Sequence, residues 1–168
     1  VMEKYSRIKA LISLDAIRYN FEQMKKNIKE GTKIIAVIKA DAYGHGAVPI
    51  ARMLEEFDYI WGFAAATAQE ALQLRKAGIT RPILILGLVF EEYYKKLAEN
   101  DVRMAVCDYE TARKFNKAAE AAGKKGLIHL AADTGMTRIG FKDSEESLEE
   151  IRRIAALPNV EIEGLFTH

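Results

Sequence analysis

The stretch Ile34-Ile35-Ala36-Val37-Ile38 is apolar at every position. A short, largely β-branched run of this kind is typical of a strand that is buried on both faces, as in a parallel sheet. Lys39 follows the run directly, and helical and strand-like patterns alternate along the rest of the chain. The sequence therefore predicts an α/β fold with a parallel sheet.

Strand-like runs recur after this stretch, and each is separated from the next by a segment with helical signals. Counting from residue 34, we predict six strands and five intervening helices, with the later strands at 59–65, 82–86, 102–106, 127–132 and 160–166. An earlier run, residues 8–14, is also strand-like, and Asp15 after it is a candidate helix N-cap.

Helix boundaries are marked by a small set of capping residues. Thr67 and Glu70 have the spacing of a capping box, and Asp108 stands where an N-cap is expected. Gly78 and Gly123 each follow a helical segment, at the position where helices commonly end.

Strands linked through helices form parallel sheets by right-handed crossovers. Two architectures fit the pattern: a doubly wound open sheet and part of a (β/α)₈ TIM barrel. No glycine fingerprint of the dinucleotide-binding type follows the first strand, which weakens the open-sheet interpretation. As a barrel the chain is incomplete, with about six of the eight strands.

Composition excludes several functional classes. Of the 168 residues, 49% are apolar and 29% charged, with a net charge of +1, so nothing suggests binding to nucleic acid or an anionic membrane surface. No apolar run approaches the length of a membrane span, and residues 1–9 lack the apolar core of a signal peptide. Cys107, the single cysteine, lies beside an apolar run and is expected to be an unreactive thiol. We expect a cytoplasmic enzyme.

Functional groups in parallel α/β folds gather at the carboxyl ends of the strands, and Lys39 stands at such an end. One interpretation is a lysine that projects into water. The other is an amine desolvated by its surroundings, which is a nucleophile able to form a Schiff base. Position alone leaves both open.

The loop after Lys39 carries further candidates. Gly44 and Gly46 permit close approach of a ligand to the backbone, and Tyr43 offers a hydroxyl donor. The next helix is predicted to begin near Ala47, and a helix N-terminus suits a phosphate. His45 is expected to face solvent.

Two more candidates follow later strands. Arg138 lies in a turn with Asp133, where it either forms a local ion pair or presents a planar fork to a carboxylate. His168 follows the last strand and is either a frayed terminus or a site residue. No metal site is predicted.

Four segments resemble one enzyme family. Residues 36–46, AVIKADAYGHG, resemble the pyridoxal-phosphate attachment signature of alanine racemases. Residues 129–140 and 13–20 are similar to two further motifs of that family, and residues 164–168 are a weaker match. Together these segments span essentially the whole chain, so residues 1–168 resemble the N-terminal part of the barrel domain, with the family's C-terminal β-domain absent.

The resemblance implies a head-to-tail homodimer that interconverts L- and D-alanine through a pyridoxal 5'-phosphate aldimine, supplying D-alanine for peptidoglycan. In the family, the lysine matching Lys39 carries the cofactor and exchanges the α-proton on one face. The tyrosine matching Tyr43 contacts the cofactor phosphate. The arginine matching Arg138 sits by the substrate carboxylate, and the histidine matching His168 belongs to the hydrogen-bonded surroundings of the cofactor.

The chain departs from the family in two places. Many members have a lysine, often carbamylated, where this chain has Ala131. Either some other anion or side chain orients Arg138 in its place, or Arg138 is held less rigidly. The second catalytic base of the family is a tyrosine from the C-terminal domain of the other subunit, so we expect little or no activity from residues 1–168 alone.

Two other functions stay open. One is a non-catalytic fragment that binds pyridoxal phosphate, and the other is a broader amino-acid or serine racemase of the same family. A decarboxylase is disfavoured, because residues 41–46 and 133–136 both resemble the racemases.

Overall fold

The structure, a computed structural model, describes residues 8–168. Within them six strands form a single parallel sheet that curls into a half-barrel covered by helices. The strands are β1 (Ile34–Val37), β2 (Ile60–Ala65), β3 (Ile83–Ile85), β4 (Val102–Val106), β5 (Gly126–Ala132) and β6 (Val160–Thr167). All six predicted strands are confirmed, with ends that differ by at most one residue.

The order of the strands decides between the two predicted architectures. Each strand pairs with its neighbours in the chain, in the order β1-β2-β3-β4-β5-β6. A doubly wound sheet reverses direction part-way through its strand order, whereas a barrel adds strands in sequence. The fold is therefore about six of the eight strands of a (β/α)₈ barrel, and the open-sheet alternative is excluded.

Helices connect the strands on the outer face. The first helix is α1 (Leu14–Lys26), and α2 (Lys39–Gly44) and α3 (Ala47–Leu54) both lie between β1 and β2. The later connections contain α4 (Ala68–Lys76), a 3₁₀ turn (Glu91–Tyr93) with α5 (Tyr94–Glu99), α6 (Tyr109–Ala121) and α7 (Glu145–Ala155). None of the helices in residues 8–168 has the length and apolarity needed to cross a membrane.

The helix-end residues predicted for α4 and α6 are confirmed. Thr67 and Glu70 form a reciprocal capping box at the start of α4. Asp108 Oδ1 accepts a hydrogen bond from the N–H of Thr111 at 2.7 Å at the start of α6. Gly78 and Gly123 follow α4 and α6 with φ of 85° and 65°, the left-handed conformation that ends many helices.

Two predictions near the N-terminus are wrong. Residues 8–13 form no strand, and residue 14 already belongs to α1. The N-cap is Ser13, whose Oγ accepts from the N–H of Ala16 at 3.2 Å; its backbone is extended, as a cap requires. Asp15 lies instead in the first turn, where its negative charge favours the helix dipole.

The core lies between the sheet and the outer helices. Its largest fully buried side chains come from both layers and include Leu54, Phe63, Leu74, Ile83, Leu97, Phe115 and Ile128. The prediction that β1 is buried on both faces is wrong for this chain, because Ile35 and Val37 are 37% and 44% exposed. Strand β1 forms one edge of the open half-barrel, and these two side chains line its interior.

Candidate functional site at the carboxyl ends of the strands

A short left-handed helical turn, residues 40–43, follows Lys39 directly. Residues 40–43 all have φ between 50° and 55° and ψ between 37° and 48°. For L-amino acids this conformation costs roughly 1–2 kcal/mol per residue, so a run of it persists only where the surroundings fix it. The sequence predicts an ordinary loop here. Glycine is the residue that usually indicates a positive φ, and none of residues 40–43 is a glycine.

The turn is closed by hydrogen bonds to its own flanks. The N–H of Ala42 donates to the carbonyl of Ile38 at 2.9 Å, and the N–H of Gly46 donates to the carbonyl of Asp41 at 2.8 Å. Asp41 Oδ1 also accepts from the N–H of Ala47 at 2.7 Å, at the start of α3. This carboxylate already occupies the N-terminus of α3, so the expectation that this helix end would bind phosphate is not supported.

The four predicted site residues line one cavity. Lys39, Tyr43, Arg138 and His168 all face a cavity of about 340 Å³ at the carboxyl ends of the strands. The remaining walls are mostly apolar and include Val37, Ala64, Leu84, Leu86 and Phe166. A concave, largely apolar pocket with a few convergent polar groups is the usual form of a small-molecule site.

Lys39 is half-buried at the wall of this cavity. Its Nζ lies 6.0 Å from the centroid of the Tyr43 ring, and none of the ion pairs formed within residues 8–168 includes it. Tyr43 itself is 61% exposed, with its ring at the mouth. The amine therefore faces the cavity with no carboxylate partner in the described part of the chain.

Arg138 lies in a turn organised by Asp133. Asp133 Oδ1 accepts from the N–H groups of Thr137 at 2.9 Å and Gly135 at 3.0 Å, and these bonds lower the pKa of Asp133. Within residues 8–168 no ion pair joins Asp133 to Arg138, so the local-ion-pair interpretation is wrong: the carboxylate is used by backbone donors. The exposed guanidinium of Arg138 is left facing the cavity.

The turn returns to β5 at Gly140. Its φ is 125°, and a Cβ at this position would lie 2.6 Å from the nitrogen of Asp133. The next residue, Phe141, exchanges backbone hydrogen bonds with Ala131 and Asp133 at 2.8 and 2.9 Å. A glycine is therefore required for the turn to pack against the end of the strand.

A pair of threonines joins this turn to the last strand. Thr134 Oγ1 and Thr167 Oγ1 are 2.6 Å apart, so the Arg138 turn and the end of β6 are held together next to His168. Sequence reasoning missed this contact, because a hydroxyl pair between distant segments leaves no local pattern. His168 is exposed and lines the cavity, as a site residue would.

Ala131 is 2% exposed and also lines the cavity. Its methyl group occupies the position where many alanine racemases are expected to carry a lysine. An alanine side chain cannot form a carbamate, so Arg138 has no carbamate partner at this position.

Two remaining candidates lie apart from the cavity lining. His45 is exposed as predicted, with Nδ1 2.8 Å from the carbonyl oxygen of Ala42. Cys107 is half-buried, and burial together with the neighbouring Asp108 raises the pKa of its thiol, which supports the expectation that it is unreactive. No group of three or more His, Cys, Asp or Glu side chains in residues 8–168 is arranged to hold a metal ion.

Comparison with known proteins identifies the family. Residues 12–168 match the model of the alanine racemase N-terminal domain. The chain belongs to the alanine racemase family. An alanine racemase of Clostridium kluyveri is 44% identical over 169 residues, a match that covers 100% of this chain and 42% of the relative. The chain thus spans about two fifths of the length of this family member.

Solved structures of the family have the same fold. The alanine racemase of Clostridium difficile 630 in complex with cycloserine has a TM-score of 0.91 and 44% identity, covering 94% of this chain and 43% of that one. A histidine racemase from Leuconostoc mesenteroides has a TM-score of 0.82 and 32% identity, covering 94% of this chain and 42% of that one. The family fold therefore occurs in racemases named for different amino acids.

Proposed function

We propose that this chain is the cofactor-carrying part of a pyridoxal-phosphate-dependent racemase that interconverts L- and D-alanine. The observation that carries the proposal is the convergence of Lys39, Tyr43, Arg138 and His168 on one cavity. Family membership supports the reaction class, and the cavity supplies a site of suitable chemistry for it.

The residues present fit pyridoxal phosphate. The cavity of about 340 Å³ falls within the range of small-molecule sites, and its apolar walls suit an aromatic ring. Lys39 would hold the cofactor through Nζ, Tyr43 would donate its hydroxyl to the phosphate, and His168 would hydrogen-bond within its surroundings. Bound there, the cofactor supplies an electron sink for the carbanion at the substrate Cα.

Two side chains of this chain would act on the substrate, one on its α-proton and the other on its carboxylate. Once the substrate amine has taken its place, Lys39 Nζ would accept the α-proton from one face of the substrate in one direction of the reaction and donate a proton to that face in the other. The fork of Arg138 binds the substrate carboxylate, because its guanidinium reaches the cavity without a carboxylate partner among residues 8–168.

Inversion needs a second base on the opposite face of the substrate. We propose that it comes from the part of the protein beyond the barrel, in the other subunit of a homodimer, since this chain spans 42% of the length of its Clostridium kluyveri relative. Residues 1–168 alone would then bind the cofactor without racemising, which is the non-catalytic alternative for the isolated fragment.

The cofactor assignment is tested by borohydride reduction of the whole protein with pyridoxal phosphate, followed by peptide mapping. The label is expected on Lys39 and is expected to disappear in Lys39→Ala. Lys33→Ala is the matched control, since Lys33 is an exposed lysine just before the same strand. A label that persists at full level in Lys39→Ala contradicts the assignment.

A racemase that accepts several amino acids is the second candidate function. The histidine racemase neighbour, at 32% identity, favours testing a broader amino-acid racemase beside the alanine enzyme. Chiral chromatography of the whole protein with L-alanine, L-serine and L-histidine separates the two, and we expect D-alanine to form fastest. D-alanine made in the cytoplasm would then supply peptidoglycan synthesis.

A further inference from the structure

A carboxylate outside the cavity joins two loops beside Lys39. Glu70, in the first turn of α4, accepts through Oε1 from the N–H of Ala40 at 2.9 Å. Its Oε2 accepts from the N–H groups of Ala66 at 2.7 Å and Thr67 at 3.3 Å. The capping box accounts for the bond to Thr67 but not for the bond to Ala40, which crosses from the loop after β2 to the loop after β1.

The hydrogen bond to Ala40 lies at the start of the segment whose backbone conformation is energetically unfavourable. Ala40 is the first residue of the left-handed turn and follows Lys39 directly. A hydrogen bond from a backbone N–H to a charged carboxylate is stronger than one to a neutral acceptor. Glu70 thus holds the beginning of the turn, and Asp41, which accepts from the N–H of Ala47 at 2.7 Å, holds its end.

We propose that Glu70 is a positioning residue for Lys39. Its carboxylate fixes the left-handed turn and with it the direction in which Lys39 and Tyr43 enter the cavity. Glu70 is not among the residues that line the cavity, so it acts through the backbone of Ala40. The inference rests on the proposed function of Lys39 as the residue that holds the cofactor.

The role requires a glutamate. The two carboxylate oxygens accept from opposite sides, one from Ala40 and the other from Ala66 and Thr67. A glutamine has a single acceptor oxygen, and its amide N–H groups would face backbone donors on one side. An aspartate keeps the charge but is one methylene shorter, so it cannot reach both loops.

The experiment uses the whole protein that contains this chain, as Glu70→Gln and Glu70→Asp. Thr67→Ala is the matched control, because it removes the 3.3 Å bond from the N–H of Glu70 to Thr67 Oγ1 and leaves the carboxylate in place. The first readout is hydrogen–deuterium exchange of peptides covering residues 39–46 without cofactor. The second is the concentration of pyridoxal phosphate needed to label Lys39 under borohydride.

In both Glu70 variants we expect exchange in residues 39–46 to be faster, and the cofactor concentration for half-labelling to rise, by roughly ten- to a hundredfold. Thr67→Ala should raise exchange only in the first turn of α4. If one of the two Glu70 variants fails to fold, as judged by circular dichroism, the other variant is used to test the proposal.

Exchange in residues 39–46 that stays at the wild-type rate in a folded Glu70 variant overturns the proposal, as does an equal increase in Thr67→Ala. If the wild-type protein takes no label on Lys39, the proposed function is what fails, and the exchange result still decides whether Glu70 anchors the turn.

Discussion

Arg103 donates to both carboxylate oxygens of Glu163, from Nε at 2.9 Å and from Nη2 at 2.7 Å. The same carboxylate lies 3.0 Å from His129 Nε2, and the guanidinium of Arg103 lies 5.6 Å from the centroid of the Trp61 ring. The cluster joins β2, β4, β5 and β6, although none of its members was a sequence-based candidate.

This pair makes stability depend on pH. The hydrogen bonds from Arg103 hold the pKa of Glu163 below its ordinary value. A carboxyl whose pKa is lower when folded stabilises the protein above its unfolded pKa, and this contribution is lost as pH falls through the folded value. We expect Glu163→Gln to cost about 1–2 kcal/mol at pH 7, a modest figure because the side chain is partly exposed, and to cost less at pH 3. Urea unfolding at both pH values measures this, and an equal loss at the two would contradict it.

Arg138→Lys should keep cofactor binding and weaken catalysis in the whole protein. A charge-assisted hydrogen bond lost from the transition state costs ~1.5–3 kcal/mol, or roughly ten- to a hundredfold in rate. Racemisation rate and cofactor absorbance are measured together. An unchanged rate would make Arg138 structural, and loss of the cofactor would assign it to cofactor retention.

Ala131→Lys is the companion to that variant. It places an amine that can be carbamylated at the buried cavity wall beside the Arg138 turn. We expect the wild-type protein with Ala131 to be active, so the added lysine should not be needed for racemisation. Wild-type protein that is inactive until the lysine is introduced would show that the carbamate is essential.

Gly140→Ala should destabilise the protein more than Gly135→Ala does. Both glycines have nearly the same φ, 125° and 126°, but a Cβ meets backbone atoms only at Gly140. The difference between the two losses of unfolding free energy therefore measures steric overlap separately from the backbone preference of glycine. We expect this difference to be about 1–3 kcal/mol. Thermal unfolding of the two variants gives the comparison, and equal losses would remove the steric argument.

Residues 1–168 produced alone should associate. The edges of β1 and β6 have no partner strand within residues 8–168, and Val37 and Leu165 are 44% and 68% exposed. Open edges and exposed apolar side chains favour pairing between chains. Sedimentation at micromolar concentration checks this, and a monodisperse, stable monomer would count against it.

The strands were predictable because their signals are local. Buried β-branched runs and capping residues act within a few residues of the chain, and the six strands and the caps Thr67 and Asp108 are found where expected. The wrong predictions concern what a segment packs against. The run at residues 8–14 has strand-like composition but no sheet partner in the described structure, and β1 is exposed because the half-barrel is open beside it.

The site was predictable in part for the same reason. Lys39 follows β1 and Arg138 lies in the turn after β5, and both positions can be inferred from local sequence. The hydrogen bond between Ala40 and Glu70 at the start of the left-handed turn spans 30 residues, and the Thr134–Thr167 contact spans 33 residues. Such contacts exist only after folding, so no pattern along the chain reveals them.

The order of strands in the sheet equals their order in the chain, and this bears on synthesis. When β2 leaves the ribosome, β1 is already made, and the same holds for every later strand and its neighbour. The sheet can therefore grow one βα unit at a time from its N-terminal side, with each new strand closing the edge that the previous one left open. No strand has to be inserted between two others, so a nascent chain of this fold never has to separate a pair that it has already formed.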